Sequence, residues 1–452
     1  MATTRLSRTA GTPTLNTKHT ISMWLKRSKL SYGDCFLIDG YQDGNNRFKL
    51  SFDASDRLEC YNTHGGSYKY NVVTNRKFRD VNAFYHLVVR IDTTQASASN
   101  RVRIYVNGTE EESFSTYTDA TQDDANNVVN ESGATISIGD YQGGSNAFEG
   151  IMSHVHFVDG TSYAASTFGS TDSTTGEWQI NTSPSITMGN NGFTILKDGN
   201  TITDQSSNSN NFTLSSGTLT KTEDCPSNVF ATLNSLVNTP ADTGSLSNGS
   251  NTYTTSNYSY NTRSTLGMTS GKFYWEQKVN NATAVKVGLC TSQYDPSLDT
   301  DSSTAHYGGA GGGGVYVLMS NSTTTWQSTF SDTSKATGSY TNAIASTSSS
   351  ILMGAVDVDA NKLWVGVDGV WMNSGNPATG ANAQLTFTNS SPDALHIMAS
   401  HGDNASRATS WNFGNGYFGT TAVASAGTNA SGNGIFEYDV PANFTALSTK
   451  GL

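Results

Sequence analysis

Apolar and polar residues alternate with a period of two in short runs along most of the chain, the pattern of strands that lay one face on a core. In Thr20–Leu25, Ile21, Met23 and Leu25 fall on one face and Trp24 on the other. In Phe84–Asp92 the inward set is Leu87, Val89 and Ile91. Arg101–Asn107 sets Val102, Ile104 and Val106 against Arg101, Arg103 and Tyr105. Ile151–Val158 groups Ile151, Val155 and Phe157, with Met152, His154 and His156 opposite. Gly192–Asp198 and Asn211–Leu214 predict two more strands. After DCPSNVFATLN (Asp224–Asn234) comes a polar, turn-rich stretch to about Asn257, which reads as a domain boundary. Alternation resumes in Gly271–Val279, where Phe273, Trp275 and Gln277 share a face. Strands follow at Val285–Leu289, Val315–Met319, Ile351–Val358 and Leu363–Val367, and no run of ten residues carries a helical period.

Two hairpins of one type punctuate this pattern. Asn107-Gly108 follows RVRIYV, and Asp368-Gly369 sits inside NKLWVGVDGVW. Both are two-residue turns of the kind that match strand twist. Lying more than 250 residues apart, they predict two tandem antiparallel β-sandwich (jelly-roll) domains in an all-β chain.

Composition narrows the function classes. Of 452 residues only 35% are hydrophobic and 14% charged, and Ser, Thr, Asn and 44 glycines make up the difference. With 20 Tyr, 19 Phe and 7 Trp the chain is not disordered. A net charge of −11 without a basic run argues against a nucleic-acid partner. No stretch of 18 apolar residues occurs and MATTRLSRTAG has no apolar signal region, so neither membrane insertion nor standard export is expected. Cys35, Cys60, Cys225 and Cys290 are widely spaced, which disfavours zinc and predicts free, mostly buried thiols.

Catalytic arrangements are hard to find. Glu110, Glu111 and Glu112 are consecutive, so they alternate faces, and they read as solvated charges beyond a turn. Asp357 and Asp359 share a strand face but lead into a turn, where Asx contacts explain them. His401 and Asp403 lack a strand-elbow serine. GGAGGGG (Gly308–Gly314) lacks the Lys-Ser/Thr of a phosphate loop. His154 and His156 share a face without a third ligand and read as lying on a solvent or inter-domain surface. Non-enzymatic binding is the expectation. Its candidate contacts are Tyr61, His64 and Tyr68, in the loop CYNTHGGSYKY (Cys60–Tyr70), and Trp326, since aromatic rings stack on sugar faces. No cofactor is required. Calcium is the candidate ion, with hard oxygen ligands at Asp39, Asp43, Asn45 and Asn46 within DGYQDGNN. Trp275, Trp364, Trp371 and Trp411 read as core or core-rim residues.

ISMWLKRS (Ile21–Ser28), AFYHLVVRIDTT with VRIYVNG, and FEGIMSHVHFVDG (Phe148–Gly160) together resemble the LamG/concanavalin A-like lectin-glucanase superfamily. SGKFYWEQKV, ILMGAVDVDANKLWVGVDGVWMNSGNPATG and WNFGNGYF (Trp411–Phe418) resemble a SPRY-type sandwich. The pieces TSYAASTFGSTDSTTGEW, DQSSNSNNFTL and DCPSNVFATLN resemble segments found in this order in large proteins of tailed bacteriophages, especially those of marine bacteria. These resemblances imply a layout of an N-terminal arm (1–18), a concanavalin A-like sandwich (19–160), a connecting segment (161–250) and a SPRY-like sandwich (251–452). They imply a virion-surface protein, a fibre, spike or receptor-binding component, bound to other virion proteins and to host-surface glycan. Glucanases of this superfamily carry Glu-x-Asp-x-x-Glu on one strand, and no such motif appears here. Since the first lectin-like strand starts about twenty residues in, no separate anchor is expected, which favours a short spike or decoration protein over a long fibre. A homo-oligomer, such as a trimer, is expected, since linked copies raise avidity. The alternatives are a capsid or tail decoration protein and a polysaccharide depolymerase.

Overall fold

The computed structural model describes residues 4–452 except 198, 200, 238–243, 256–261, 282–283, 293–312, 321–323, 329–335, 340–348, 389–392 and 402–406. The chain is all-β; among the described residues there are strands and short 3₁₀ turns but no α-helix. It divides into two compact units, Met1–Lys221 with Cys225–Ser227, and Thr222–Asp224 with Asn228–Leu452.

Unit 1 is a sandwich of an eight-stranded and a six-stranded antiparallel sheet. The larger runs, edge to edge, Phe114–Thr118, Ser67–Lys77, Arg57–His64, Asn46–Phe52, Cys35–Asp43, Thr135–Ile138, Arg5–Thr9 and Thr213–Ser216. The smaller runs Phe193–Ile195, Gly150–Asp159, Lys18–Arg27, Tyr85–Asp92, Val102–Val106 and Thr109–Glu110. Between them lies one core, to which Ile21, Met23, Leu25, Leu87, Val89, Ile91, Val102, Ile104 and Val106 contribute as the alternation predicts. Asn107 and Gly108 take φ of 48° and 79°, the left-handed pair that a tight hairpin turn requires.

Four expectations for this unit change. Arg5–Thr9, within the expected N-terminal arm (1–18), is a strand inside the larger sheet, with Leu6 in the core. The connecting segment is divided, because its residues to Lys221 pack with unit 1. The pairing of Gly150–Asp159 with Lys18–Arg27 shifts register between Ser153 and His156, where His154 has φ of 49°. That bulge reverses the parity, so Met152, opposite Leu25, packs on the core side with Val155 and Phe157 while Ile151 does not. Finally, the smaller sheet is buried on both faces. Its outer face carries Val88 and Val158, and the 161–190 segment brings Ala165, Phe168 and Met188 down onto them.

Unit 2 repeats the sandwich. A nine-stranded sheet is built around Lys272–Val279, Ile351–Asp357, Lys362–Val367 and Arg407–Asn412, and a six-stranded sheet around Ala284–Thr291, Gly314–Ser320 and Leu395–His401. Phe273, Trp275, Val365 and Trp411 from the first meet Val287, Val317 and Ile397 from the second. Asp368 and Gly369 form the second hairpin turn, with φ of 48° and 83°. The outer face of the nine-stranded sheet is also covered, since Tyr274, Met353 and Trp364 pack against Phe436, Val440 and Phe444 of the C-terminal segment. Trp275, Trp364 and Trp411 are fully buried and Trp371 is half-buried, as core and core-rim residues.

Candidate functional site

The outer face of the larger sheet of unit 1 gathers the aromatic and charged residues best placed to meet a ligand. CYNTHGGSYKY is not a loop. Gly65 and Gly66, with φ of 63° and 75°, make a tight turn, and the strands either side pair from Arg57 to Lys77. Cys60 and Asn62 point inward and are buried, which turns Tyr61 and Thr63 to the outer face. Tyr61 and Tyr68 then meet edge to face, with ring centroids 5.4 Å apart, and the Tyr68 residue is 55% exposed.

The neighbouring strand, Asn46–Phe52, sends Phe48, Leu50 and Phe52 into the core and therefore Arg47, Lys49 and Ser51 outward. Registers place Ser7, Ser137, Asp39, Lys49, Tyr61 and Asn71 in one row across six strands. Lys49 lies in the middle of the patch. Its Nζ donates to Asp34 at 2.8 Å and Glu59 at 2.6 Å, and stands 5.5 Å from the Tyr61 ring and 5.3 Å from that of Phe36. Burial opposes its charge, but the hydrogen bonds it donates to the two carboxylates outweigh that and hold the ammonium above its ordinary range. The Lys49 side chain is only 5% exposed, whereas that of Asp34 is 41% exposed. Arg47 stacks over Phe36 and Tyr141, whose rings lie 5.2 Å apart, and its Nε donates to Asp39 at 2.7 Å. The loop carrying Tyr141 is tied by the Arg5 guanidinium to the carbonyls of Tyr141 and Gln142 and by the Gln142 N–H to Asp39.

Among the residues expected to bind, Tyr61 and Tyr68 are brought together. His64 closes its strand, with Nε2 3.8 Å from Glu131. Trp326 belongs to unit 2, on Thr324–Ser328 opposite Val317 and Gly338, and its side chain lies outside the described residues. Asp34, Lys49, Glu59, Arg47 and Phe36 were not singled out from sequence, although the alternation in RFKLSF turns Arg47 and Lys49 outward.

The calcium candidates do not converge. Asp39 and Asp43 are four residues apart on one strand, about 13 Å at a strand's rise. Burial pushes the Asp39 carboxyl up even though Arg47 neutralises it. Asp43 is held below its ordinary range by the Asn46 side chain and the Asn45 N–H, which bond its two oxygens. Asn46 Oδ1 and Asn45 O in turn accept the N–H groups of Gly65 and Gly66, joining two hairpin turns. Among the described residues, no three His, Cys, Asp or Glu side chains are placed to hold a metal ion.

Other expected chemistry resolves into structure. Asp357 accepts the Ala360 N–H at 2.9 Å, as a turn residue does, and pairs with Lys272, whereas Asp359 accepts the N–H of Gly271, far away in sequence and outside its own turn. The acids after the first hairpin are more than solvated charges, because Glu110 pairs with Arg103 and Glu111 is buried against Arg76. His154 and His156 are buried rather than on a surface; His156 Nδ1 bonds Thr194 Oγ1 at 2.8 Å and its ring packs on Phe168. All four cysteines are free, and three of them are buried. Asp403 and residues 308–312 lie outside the described residues.

Comparison with known proteins agrees with the fold of unit 1. No curated protein matches the chain. Residues 4–166 match the Laminin_G_3 family, described as the Concanavalin A-like lectin/glucanases superfamily. Similar solved structures include a heptameric SAP-like pentraxin from Limulus polyphemus, 14% identical over 34% of this chain and 70% of that one, with a TM-score of 0.26. The SPRY domain of human HERC1 is 12% identical over 40% of this chain and 96% of that one, with a TM-score of 0.27. A putative carbohydrate binding protein from Bacteroides ovatus is 16% identical over 49% and 60%, with a TM-score of 0.30. The stretch that carries the tyrosine pair and its charged neighbours lies within residues 4–166, the part of the chain that matches that superfamily.

Proposed function

We propose that this chain is a non-enzymatic glycan-binding protein whose contact surface is the outer face of the larger sheet of unit 1. The observation that carries the reading is the Tyr61–Tyr68 pair standing beside the Asp34–Lys49–Glu59 bridge. Rings give a sugar its stacking surface, and fixed carboxylates accept its hydroxyl protons. The family match over residues 4–166 supports the same class of ligand. The Asp34–Glu59 pair supports binding in preference to retaining hydrolysis at this face. A retaining pair must admit a glycosidic oxygen between two carboxyls, and here the Lys49 ammonium fills that space.

The resemblance of the connecting segments to tailed-bacteriophage proteins extends the proposal. The protein acts on the particle surface as a fibre, spike or receptor-binding component, in several copies, as a trimer with other virion proteins as neighbours. Weak single sites then suffice, because linked copies raise avidity. The test is binding of the purified chain to immobilised host-surface polysaccharide. Tyr61→Ala and Tyr68→Ala should each weaken it roughly three- to tenfold, as loss of a stacking ring does. Unchanged binding in the double variant removes this face from the reading. Release of reducing ends during incubation overturns the non-enzymatic part.

A further inference from the structure

We infer that residues 161–190 form an acid-released strap, which leaves the outer face of the smaller sheet when His86 and His156 take up protons while the sandwich beneath stays folded. The segment is built to come away as a piece. Its hairpin, Gly169–Thr171 with Trp178–Ile180, is a two-stranded sheet of its own and joins neither sheet of the sandwich. Both ends are pinned by main-chain bonds, from Gly160 N–H to the Lys18 carbonyl and from Asp159 N–H to the Met188 carbonyl. Beside those bonds Gly160 and Gly189 take φ of 84° and 68°, the backbone freedom a hinge uses. Between the ends the hold is slight. Among the described residues, 164–186 make one hydrogen bond to the rest of unit 1, from Trp178 N–H to Nδ1 of His86. The remainder is packing, of Ala165 and Phe168 on Val88 and Val158 and of the Phe168 and Trp178 rings on imidazoles.

Both imidazoles beneath the strap hold it only while neutral. A proton on Nδ1 of His86 would set donor against donor at the Trp178 N–H. His156 lies under Phe168, with ring centroids 5.5 Å apart, and its Nδ1 bonds Thr194 Oγ1. Among the described residues no carboxylate pairs with either ring to support an imidazolium. His154 and Lys197, beside His156, oppose its charge. The other titratable groups on the surrounding strands are Lys26, Tyr105, Arg90 with Asp92, and Arg103 with Glu110. On the strap itself they are Tyr163, packed on Phe168, Asp172, bonded to its own turn, and Glu177, which is exposed. Burial lowers His86 and His156 to about 3, so the docked strap refuses protons that an open one accepts. Below pH 6.5 each histidine then raises the open-to-docked ratio by up to about tenfold per pH unit. Trp24, stacked on His86 at 4.7 Å, belongs to the sheet and stays with the charged ring once the strap has left.

Hydroxyl-radical footprinting of the full chain at pH 7.0 and 4.5 separates release of the strap from unfolding. Phe168 is the reporter on the strap and Met23 the control in the core of unit 1, 1% and 0% exposed. Oxidation of Phe168 should rise roughly fivefold or more in acid, with Met23 changing less than about twofold. A Phe168 rate that stays level overturns the strap, because the segment remains docked. A Phe168 rate that rises only together with that of Met23 overturns it too, because the sandwich then unfolds as a whole. The H86Q/H156Q chain, in which amides replace both rings, should keep Phe168 protected at pH 4.5, and an acid rise as large as in the wild type overturns the role of the histidines. Trp178→Phe is the second variant, lacking the indole N–H. It should open nearer neutral pH than the wild type, and opening no earlier overturns the part assigned to the Trp178–His86 bond.

Discussion

Trp178 donates its indole N–H to Nδ1 of His86 over 2.9 Å, and this bond fixes the imidazole as the neutral tautomer that carries its proton on Nε2. From there Nε2 reaches Ser22 Oγ at 2.9 Å, while the ring stacks on Trp24 with centroids 4.7 Å apart. The short hairpin of Gly169–Thr171 and Trp178–Ile180 is thereby docked on the outer face of the smaller sheet through a group that must stay uncharged.

Acid should therefore loosen unit 1. Burial lowers His86 and His156 to about 3 and His19 to about 4, from an ordinary 6.5. Between pH 6.5 and those values the unfolded chain binds protons that the folded chain refuses, so stability is complete above about 6.5 and falls as pH drops. The loss is on the order of 1 kcal/mol per histidine for each pH unit. Thermal unfolding followed by tryptophan emission between pH 7.5 and 4.5 should show this slope, and His86→Gln should flatten it by about one proton. A midpoint that does not move with pH would contradict the burial of all three.

Gly108 is required twice over. Its φ of 79° disfavours any side chain, and a Cβ there would come 2.3 Å from Cζ3 of Trp178. Gly108→Ala should cost roughly 2–4 kcal/mol, combining a strained turn with displacement of the Trp178 ring. Urea unfolding measures the loss, and a red-shifted emission in the folded baseline would identify Trp178 as the group that moved.

Asp56 and Arg27 form an ion pair at 3.0 Å with both side chains 1% exposed, and Arg27 also donates to the Phe78 carbonyl. Removing one partner strands the other, so Asp56→Ala should destabilise unit 1 by roughly 3–5 kcal/mol. The double variant Arg27→Met/Asp56→Asn should recover most of that, because no buried charge remains and asparagine tolerates the φ of 65° at position 56 while still accepting the Ser31 N–H. Denaturant midpoints of the two variants decide the point; an equal loss in both would show that packing on Phe52, not charge, dominates.

The inner faces of both sandwiches were legible because alternation at period two maps directly onto a core, as Leu87, Val89 and Ile91 show. What covers the outer faces was not. Val88, Val158 and Trp24 are apolar or aromatic residues on a face that a local pattern assigns to solvent, and only the distant 161–190 segment explains them. The bulge at His154 was invisible for a different reason: a positive φ at a non-glycine residue leaves no mark in composition. At the candidate site the sequence marks the tyrosines as residues, but Gly65-Gly66 reads as the middle of a loop until the strands on either side are seen to pair. Lys49 carries no such mark, because a buried lysine reads like any surface lysine until its two carboxylates are in place.

Glu276 sets an opposite pH dependence in unit 2. Its carboxylate is buried and takes four donors: the main-chain N–H groups of Glu437 and Tyr438 at 2.9 and 2.8 Å, Tyr274 Oη at 2.9 Å and Asn412 Nδ2 at 3.4 Å. It thereby pins the C-terminal segment over the outer face of the nine-stranded sheet. Burial raises the carboxyl to about 7 despite those donors. Between about 4.5 and 7 the folded unit holds a proton that the unfolded chain has released, so this group's contribution is largest in mild acid and declines as pH rises to 7. Glu276→Gln sets an amide NH₂ among the N–H groups of Glu437, Tyr438 and Asn412, with Tyr274 Oη alone able to accept from it, and should cost roughly 2–4 kcal/mol while abolishing the slope. Amide exchange at Glu437 and Tyr438 reads the latch directly. In the wild type it should quicken from pH 5.5 to 7.5 beyond the intrinsic base-catalysed rate, and in Glu276→Gln it should be fast throughout; protection that is unchanged in the variant would mean the apolar contacts of Phe436 and Phe444 hold the segment without the carboxylate.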